Sequence, residues 1–312
     1  MLAYLVRRIW QMLPTLAGVI LLIFFLFKFF GGDPAEILAG QIADTQQIDA
    51  IRRQLGLDRP WWVQLGIFLQ QIATFDFGQS WMTREPVSSI FASRLPATLT
   101  VMVPIVVLEV FLAIPIAMFV AYVRGSLADR AIVAVCVLAM SISFLVYIIF
   151  GQYVFGFLLG WFPVQGWSDH FLVNLFKYAP LPVVLAVFVS LAPQTRLYRT
   201  FFLDEIHHDY VRTARAKGLG EISVMLKHVL RNAMIPILTN VAVQLPSIFV
   251  GSFLIEVFFS IPGLGREVFL AVNRSDYPVI QAVTIYLAML TMLINLGADL
   301  LYRLVDPRVV LR

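Results

Sequence analysis

The chain has 312 residues, of which 60% are hydrophobic and only 13% charged, against roughly 25% charged in soluble domains. With a mean hydropathy of +0.85, this excludes a soluble globular domain and describes a polytopic membrane protein. The formal net charge of +4 is not gathered on a soluble face, so nucleic acid is excluded as a partner, and the single cysteine, Cys136, allows no intrachain disulfide.

Arg7 and Arg8 precede an apolar run from Ile9 to Phe30. The run exceeds the ~7–15 residues of a signal-peptide core, and no small-x-small cleavage site follows. It predicts an uncleaved first span, with Lys28 snorkelling at its far end and the Arg pair as an inside anchor rather than a twin-arginine export signal. Residues 31–97 form a polar segment holding two short amphipathic helices. One has Ile48, Ile51 and Leu55 at helical spacing after Thr45 and stops at Gly56. The other starts at Pro60 and has Trp62, Leu65, Leu69 and Ile72 on one face, with the Trp61-Trp62 pair suited to a membrane interface.

Further spans are expected at about Leu99–Val123, Ile132–Leu158, Leu181–Phe202, Ile235–Val257 and Val279–Leu301, making six in an all-α fold. Pro104, Pro115 and Pro246 predict kinks or local unwinding. A short polar link covers Gln165–Lys177. Phe258–Pro278 contains the turn-rich Ser260-Ile261-Pro262-Gly263-Leu264-Gly265. The Lys/Arg bias puts Arg7, Arg8, Arg124, Arg130, Arg303, Arg308, Arg312 and the basic stretch 204–234 on the inside, so both termini are expected in the cytoplasm.

No catalytic constellation is visible. There is no glycine-rich phosphate loop followed by Lys, so no ATP site of that type is expected. His170, His207, His208 and His228 have no Cys or Glu at metal-ligand spacing and read as solvated helix residues. Neither a Ser/His nor a paired-Asp arrangement lies inside the spans, as a membrane enzyme would need.

The polar, basic stretch Asp204–Pro236 cannot lie in hydrocarbon, where one central Arg or Lys costs at least ~2.5–3.5 kcal/mol. Ile206, Tyr210 and Ala214 share one helix face beside Val211, while Asp209, Arg212 and Arg215 lie elsewhere around it. Gly218 and Gly220 are expected to end that helix as left-handed caps. A second helix then begins near Glu221, with Ile222, Met225, Leu226, Val229 and Leu230 on one face, and runs directly into the fifth span. The pattern fits a docking lever and equally a passive loop with interfacial helices.

Asp209-Tyr210-Val211-Arg212-Thr213-Ala214-Arg215-Ala216-Lys217-Gly218-Leu219, then His228-Val229-Leu230-Arg231-Asn232-Ala233 and Ile235-Pro236, resemble the cytoplasmic loop of dipeptide/oligopeptide/nickel permeases of binding-protein-dependent ABC importers. Gly32-Asp33-Pro34, Leu55-Gly56-Leu57-Asp58 with Pro60, and Asp76-Phe77-Gly78-Gln79-Ser80 resemble the long external loop of that family's first permease subunit. Ile261-Pro262-Gly263-Leu264-Gly265 and Asp306-Pro307-Arg308 resemble its later landmarks. Arg212-Thr213-Ala214 stand where the general importer motif has Glu-Ala-Ala, and Arg231 where it has proline, as in the peptide subset.

The resemblance implies a single permease domain over 1–312, paired with a second homologous permease subunit, two ATPase subunits and an extracytoplasmic substrate-binding protein. It implies a bacterial inner-membrane location and peptide cargo, with nickel or another small solute as the alternative. ATP and Mg would be bound by the ATPases, with no cofactor in this chain, and residues 209–219 would be the ATPase-docking helix. Asn240, Gln244, Ser247 and Gly251 fall on one face of the fifth span, as pore lining or as a helix contact. Glu109 is read as the only acid deep in the membrane, lining the path or neutralised against a partner helix such as one of the sister subunit. A stand-alone secondary transporter would need inverted repeats and paired intramembrane acids.

Overall fold

The computed structural model describes residues 2–39 and 44–305, and among these it is helical apart from one isolated bridge between Gln79 and Pro86. The chain opens with α1 (Leu2–Phe29), α2 (Pro34–Ala39), α3 (Thr45–Gln54) and α4 (Trp61–Thr74), followed by the long α5 (Val87–Tyr122). Next come α6 (Leu127–Ser141), α7 (Phe144–Gly151), the short α8 (Phe171–Val173), α9 (Pro180–Ile206), α10 (Asp209–Ala216) and α11 (Glu221–Val224). The chain continues through α12 (Leu230–Val250), α13 (Phe253–Phe258), α14 (Leu264–Asn273) and α15 (Tyr277–Val305). Wider π turns extend α7 over Gln152–Leu158 and α8 over Asn174–Tyr178, and join α11 to α12 over Met225–Val229. The Asp306-Pro307-Arg308 motif and Arg312 lie outside the described residues.

Among the described residues five helical stretches are long and apolar enough to cross a membrane: Arg7–Phe29, Val87–Tyr122, Pro180–Ile206, Glu221–Phe258 and Tyr277–Gly297. Where the third span is expected, two helices that together are long and apolar enough, Leu127–Ser141 and Phe144–Leu158, meet at 89°. Carbonyls freed at this break find side-chain donors: Tyr147 donates its hydroxyl to the Ala139 carbonyl at 3.0 Å and Ser141 to Val137 at 2.8 Å. By contrast, α5 stays helical through Pro96, Pro104 and Pro115, and α12 through Pro236 and Pro246. The expected unwinding near Pro246 falls instead at Gly251, where α12 ends with φ +74°.

Three apolar clusters hold the chain together. The first joins α1 to the 31–97 segment and α15 through Phe24, Phe68, Ile72, Phe77 and Val283. Within it α4 turns Leu65, Phe68 and Ile72 inward, while Trp62 and Leu69, expected on that face, are exposed. The second centres on α5, α7 and α9, and the third on α5, α9 and the α10–α12 segment.

Polar ties fix the segment's position. Asp276, 4% exposed, accepts hydrogen bonds from the Ser80 hydroxyl and from Trp81 N at 3.1 Å, which pins Gln79-Ser80 to the start of α15. Asp33 takes Arg52 and the Ala35 N–H. Burial alone would raise the Asp33 carboxyl, but the Arg52 and Ala35 hydrogen bonds and the Arg52 and Lys28 charges outweigh it and hold it below its ordinary value of 3.8. A depressed carboxyl contributes stability above its unfolded value and loses it as pH falls through the folded one. Limited proteolysis of the 31–97 segment should therefore stay slow down to about pH 4 and accelerate only below it, and Asp33→Asn should remove that acid transition.

At the start of α6, Ser126 caps the helix and Asp129 accepts Gly125 N at 2.8 Å. Arg199 of α9 meets the same carboxylate through Nε at 3.1 Å and Nη2 at 2.9 Å. With side chains 21% and 8% exposed, this pair behaves as a buried one. Asp129→Ala should cost about 3–5 kcal/mol by stranding Arg199, and adding Arg199→Met should recover most of the loss in a thermal-unfolding series.

Candidate functional site

The segment between α9 and α12 is built on a split face. Val211 and Ala214 of α10 are buried against Tyr198 and Phe202 of α9 and Ala117 and Ala121 of α5. α10 packs on α11 and the π turn at Met225–Val229, and i, i+3 spacing puts Val211 and Ala214 on one side. Asp209, Arg212, Thr213, Arg215, Ala216, Lys217, Gly218 and Leu219 are exposed on the other side, with Tyr210 half-buried. Of the eleven expected docking residues, Val211 and Ala214 are therefore sealed inside the chain.

α10 ends in a Schellman turn. Gly218 has φ +80°, its N–H reaches the Arg215 carbonyl at 2.9 Å, and Leu219 N reaches Ala214 at 3.4 Å. Gly220 does not share this role: it is extended at φ −63°, ψ 146° and caps the start of α11, which corrects the expected pair of left-handed caps. A bidentate Arg215–Glu221 pair, at 2.9 and 3.2 Å, closes the corner. Being about 40% exposed, it adds only about 0–1 kcal/mol.

Beyond the corner, Val224, Met225 and Val229 are buried, whereas Ile222 is 78% and Leu226 47% exposed. The sequence pattern put Ile222, Met225, Leu226 and Val229 on one face and did not include Val224. The π turn at Met225–Val229 rotates that face, leaving Leu219, Ile222 and Leu226 as an open apolar patch beside α10. Helical backbone then continues without a break from Glu221 to Val250.

Tyr210 ties this segment to the end of α9 by donating its hydroxyl to Glu205. Burial, then that hydrogen bond, push its phenol up to about 12, against an opposing contact with Asn232. The phenol is therefore a donor at every physiological pH.

The expected polar stripe on α12 does not face one environment. Asn240 accepts from Tyr198 at 3.2 Å and from Gln244 Nε2 at 3.0 Å. Gly251 lies against Glu256 and Thr98, and only Ser247 is exposed. The open face of α12 is instead the i+4 row Ile235, Thr239, Val243 and Ser247. Glu109 is 4% exposed and faces Ser190 and Gln194 of α9 and Gln244 of α12, so it belongs to a contact among this chain's own helices rather than to a surface shared with another subunit. Its Oε1 and the Oε1 of Gln194 are buried without a hydrogen-bond donor. A second acid, Glu256, at the end of an apolar run, is 1% exposed.

A cavity of about 620 Å³ lies between α1, α3, α4 and α15. Its charged groups are already paired, Lys28 with Gln64 at 3.0 Å and Arg52 with Asp33 and Asp49. Among the described residues no three His, Cys, Asp or Glu side chains converge to hold a metal ion.

Residues 113–311 match the family described as the binding-protein-dependent transport system inner membrane component, and residues 1–102 match its N-terminal membrane component. The chain belongs to this family. Relatives agree over full length. The glutathione transport system permease protein of Shigella flexneri is 36% identical over 312 residues, 99% of each chain. The protein of the same name from Salmonella typhi is also 36% identical with the same coverage. A putative peptide transport system permease protein of Brucella abortus is 34% identical, again over 99% of each chain. The chain is thus a permease subunit of a binding-protein-dependent ABC importer, a multi-pass inner-membrane protein that works with a substrate-binding protein and ATPase partners.

For this permease, Tyr210→Phe should loosen residues 209–219 by about 1 kcal/mol, read as faster amide exchange there. In the unsubstituted protein the ordering should hold up to pH 10 and weaken as pH rises towards about 12, because a raised phenol contributes only while protonated.

Proposed function

We propose that this permease imports di- or oligopeptides, pairing with one homologous permease subunit, two ATPase subunits and an extracytoplasmic binding protein. The relatives named for glutathione and peptide transport support this cargo class. Both termini and residues 204–234 lie in the cytoplasm and residues 31–97 outside, in keeping with the basic residues at Arg7, Arg8, Arg124, Arg130 and 212–231. ATP and Mg are bound and hydrolysed by the ATPase subunits, and this chain carries no cofactor.

The observation that carries the mechanism is the split face of α10. Its apolar side is buried in the cluster it shares with α5, α9 and the α11–α12 segment, and its polar side is open beside Leu219, Ile222 and Leu226. An ATPase that grips Asp209, Arg212, Thr213, Arg215, Ala216, Lys217, Gly218 and Leu219 displaces Val211 and Ala214 together with α12, because α11 and α12 form one continuous helical body. Docking couples to the pore only if the contact differs between inward-open and outward-open states.

In reconstituted complex, Gly218→Pro should break the Schellman turn, since proline fixes φ near −65° where Gly218 sits at +80°. ATP hydrolysis should persist while uptake falls at least tenfold; unchanged uptake would sink the coupling role. Competition by unlabelled peptides for uptake tests the cargo class.

A pore wall shared with the sister subunit is open in the single chain, which favours Thr239, Val243 and Ser247 over the more enclosed Asn240 and Gln244 and over Gly251 and Glu109. In a Cys136→Ala background, Val243→Cys should react with a water-soluble thiol reagent and be protected by cargo, while Ile237→Cys, 0% exposed, should not react.

A further inference from the structure

At the far end of α12 the backbone loses its helix and a buried carboxylate takes over. Gly251 stops α12, α13 follows after one residue, and Glu256 on α13 is 1% exposed. Its Oε1 accepts the Thr98 hydroxyl of α5 at 2.9 Å, and its Oε2 accepts Arg266 N of α14 at 2.8 Å. Thr98 Oγ1 in turn accepts Leu264 N at 2.8 Å. Both carboxylate oxygens are therefore used, at the N-terminus of a ten-residue helix whose free N–H groups favour an anion.

Three glycines make room for this group. A Cβ on Gly251 would stand 2.4 Å from Glu256 Oε1, and one on Gly263 2.4 Å from its carboxyl carbon. One on Gly265 would stand 2.9 Å from Phe253 N and 3.1 Å from Glu256 Oε2. The Ile-Pro-Gly-Leu-Gly turn is thus shaped around one side chain. The covalent route from α12 to α14 runs through Gly251 at φ +74° and Ser260 at φ +56°, two points where the chain changes direction outside helix. The Glu256 hydrogen bonds bypass Ser260, and the packing of α12 on α5 bypasses Gly251.

We propose that Glu256 is a positioning residue for transport: through Thr98 and the α14 N-terminus, its carboxylate makes α13 and the outer ends of α5 and α14 move together, and α12, packed on α5, moves with them. Displacement entering at α10 then reaches the outer face, where the binding protein docks, through this contact. The inference rests on the orientation and coupling proposed above.

The test uses the full complex, with sister permease, ATPases and binding protein, in lipid nanodiscs. Glu256→Gln keeps the shape but turns one acceptor into a donor facing another donor. It should leave basal ATPase within about twofold, while stimulation by loaded binding protein falls at least fivefold. Thr98→Val should do the same and Thr98→Ser should restore stimulation. A merely structural role would lower assembly yield and basal rate together, without changing the stimulation ratio. If Glu256→Gln fails to assemble, the Thr98→Val and Thr98→Ser pair decides alone. Full stimulation in Thr98→Val overturns the proposal. Gly218→Pro in the same assay separates the two readings: if it uncouples while Thr98→Val does not, only the Glu256 role fails. If neither uncouples, the coupling role of α10 fails as well.

Discussion

Backbone that leaves a helix inside or beside a bilayer must find its hydrogen bonds within the protein. Three departures among the described residues meet that constraint, two with side chains and one with backbone turns. At the break of the third span, Tyr147 and Ser141 return donors to carbonyls of α6. Where α12 stops, Glu256 and Thr98 receive or supply the bonds that the start of α14 would otherwise lack. Where α10 turns into α11, Gly218 and Leu219 donate back into α10. The irregular points are therefore fixed joints between rigid helices, and they determine which helices can move independently.

The acids follow the same logic. In a chain with so few charges, Asp129, Glu256 and Asp276 are each at least nine-tenths buried, and each joins elements distant in sequence. Asp129 ties α6 to α9, Glu256 ties α13 to α5 and α14, and Asp276 ties the 31–97 segment to α15. Burying a carboxylate is expensive unless its oxygens are occupied, and here they are occupied by N–H, hydroxyl or guanidinium donors. Glu109 is the exception, since Oε1 has no donor although three polar side chains surround it.

Much of this was legible in the sequence. Apolar run length located the five helices long and apolar enough to cross a membrane and the bent pair between the second and fourth spans, and helical spacing with a terminal glycine located α10 and its end at Gly218. What escaped did so for identifiable reasons. Ser141-Ile142-Ser143 contains neither proline nor glycine and sits in continuous hydropathy, so nothing local announces an 89° bend. The packed face after Glu221 was misassigned because a π turn holds more residues than the 3.6 on which the spacing argument rests, which moves Ile222 and Leu226 outward. The prolines of α5 and α12 do not unwind the backbone, because a helix can continue through a proline at the loss of one hydrogen bond. Glu256 was missed because an acid at the end of an apolar run reads as a boundary, and its partners lie 158 and 10 residues away.

Rigidity at the inner end has value only if it survives to the outer end. From Glu221 to Val250 the helix provides it through backbone hydrogen bonds alone. At Gly251 that continuity stops, because φ +74° is incompatible with helix. Without a substitute contact, motion of α12 would be absorbed at this glycine, since a residue able to occupy both halves of conformational space is the softest point in the path. Glycine is nonetheless required there, because any Cβ would collide with the Glu256 carboxylate. The residue that interrupts the helix is therefore also the one that leaves room for the carboxylate joining α13 to α5 and α14, and the two features have to be understood as a single joint.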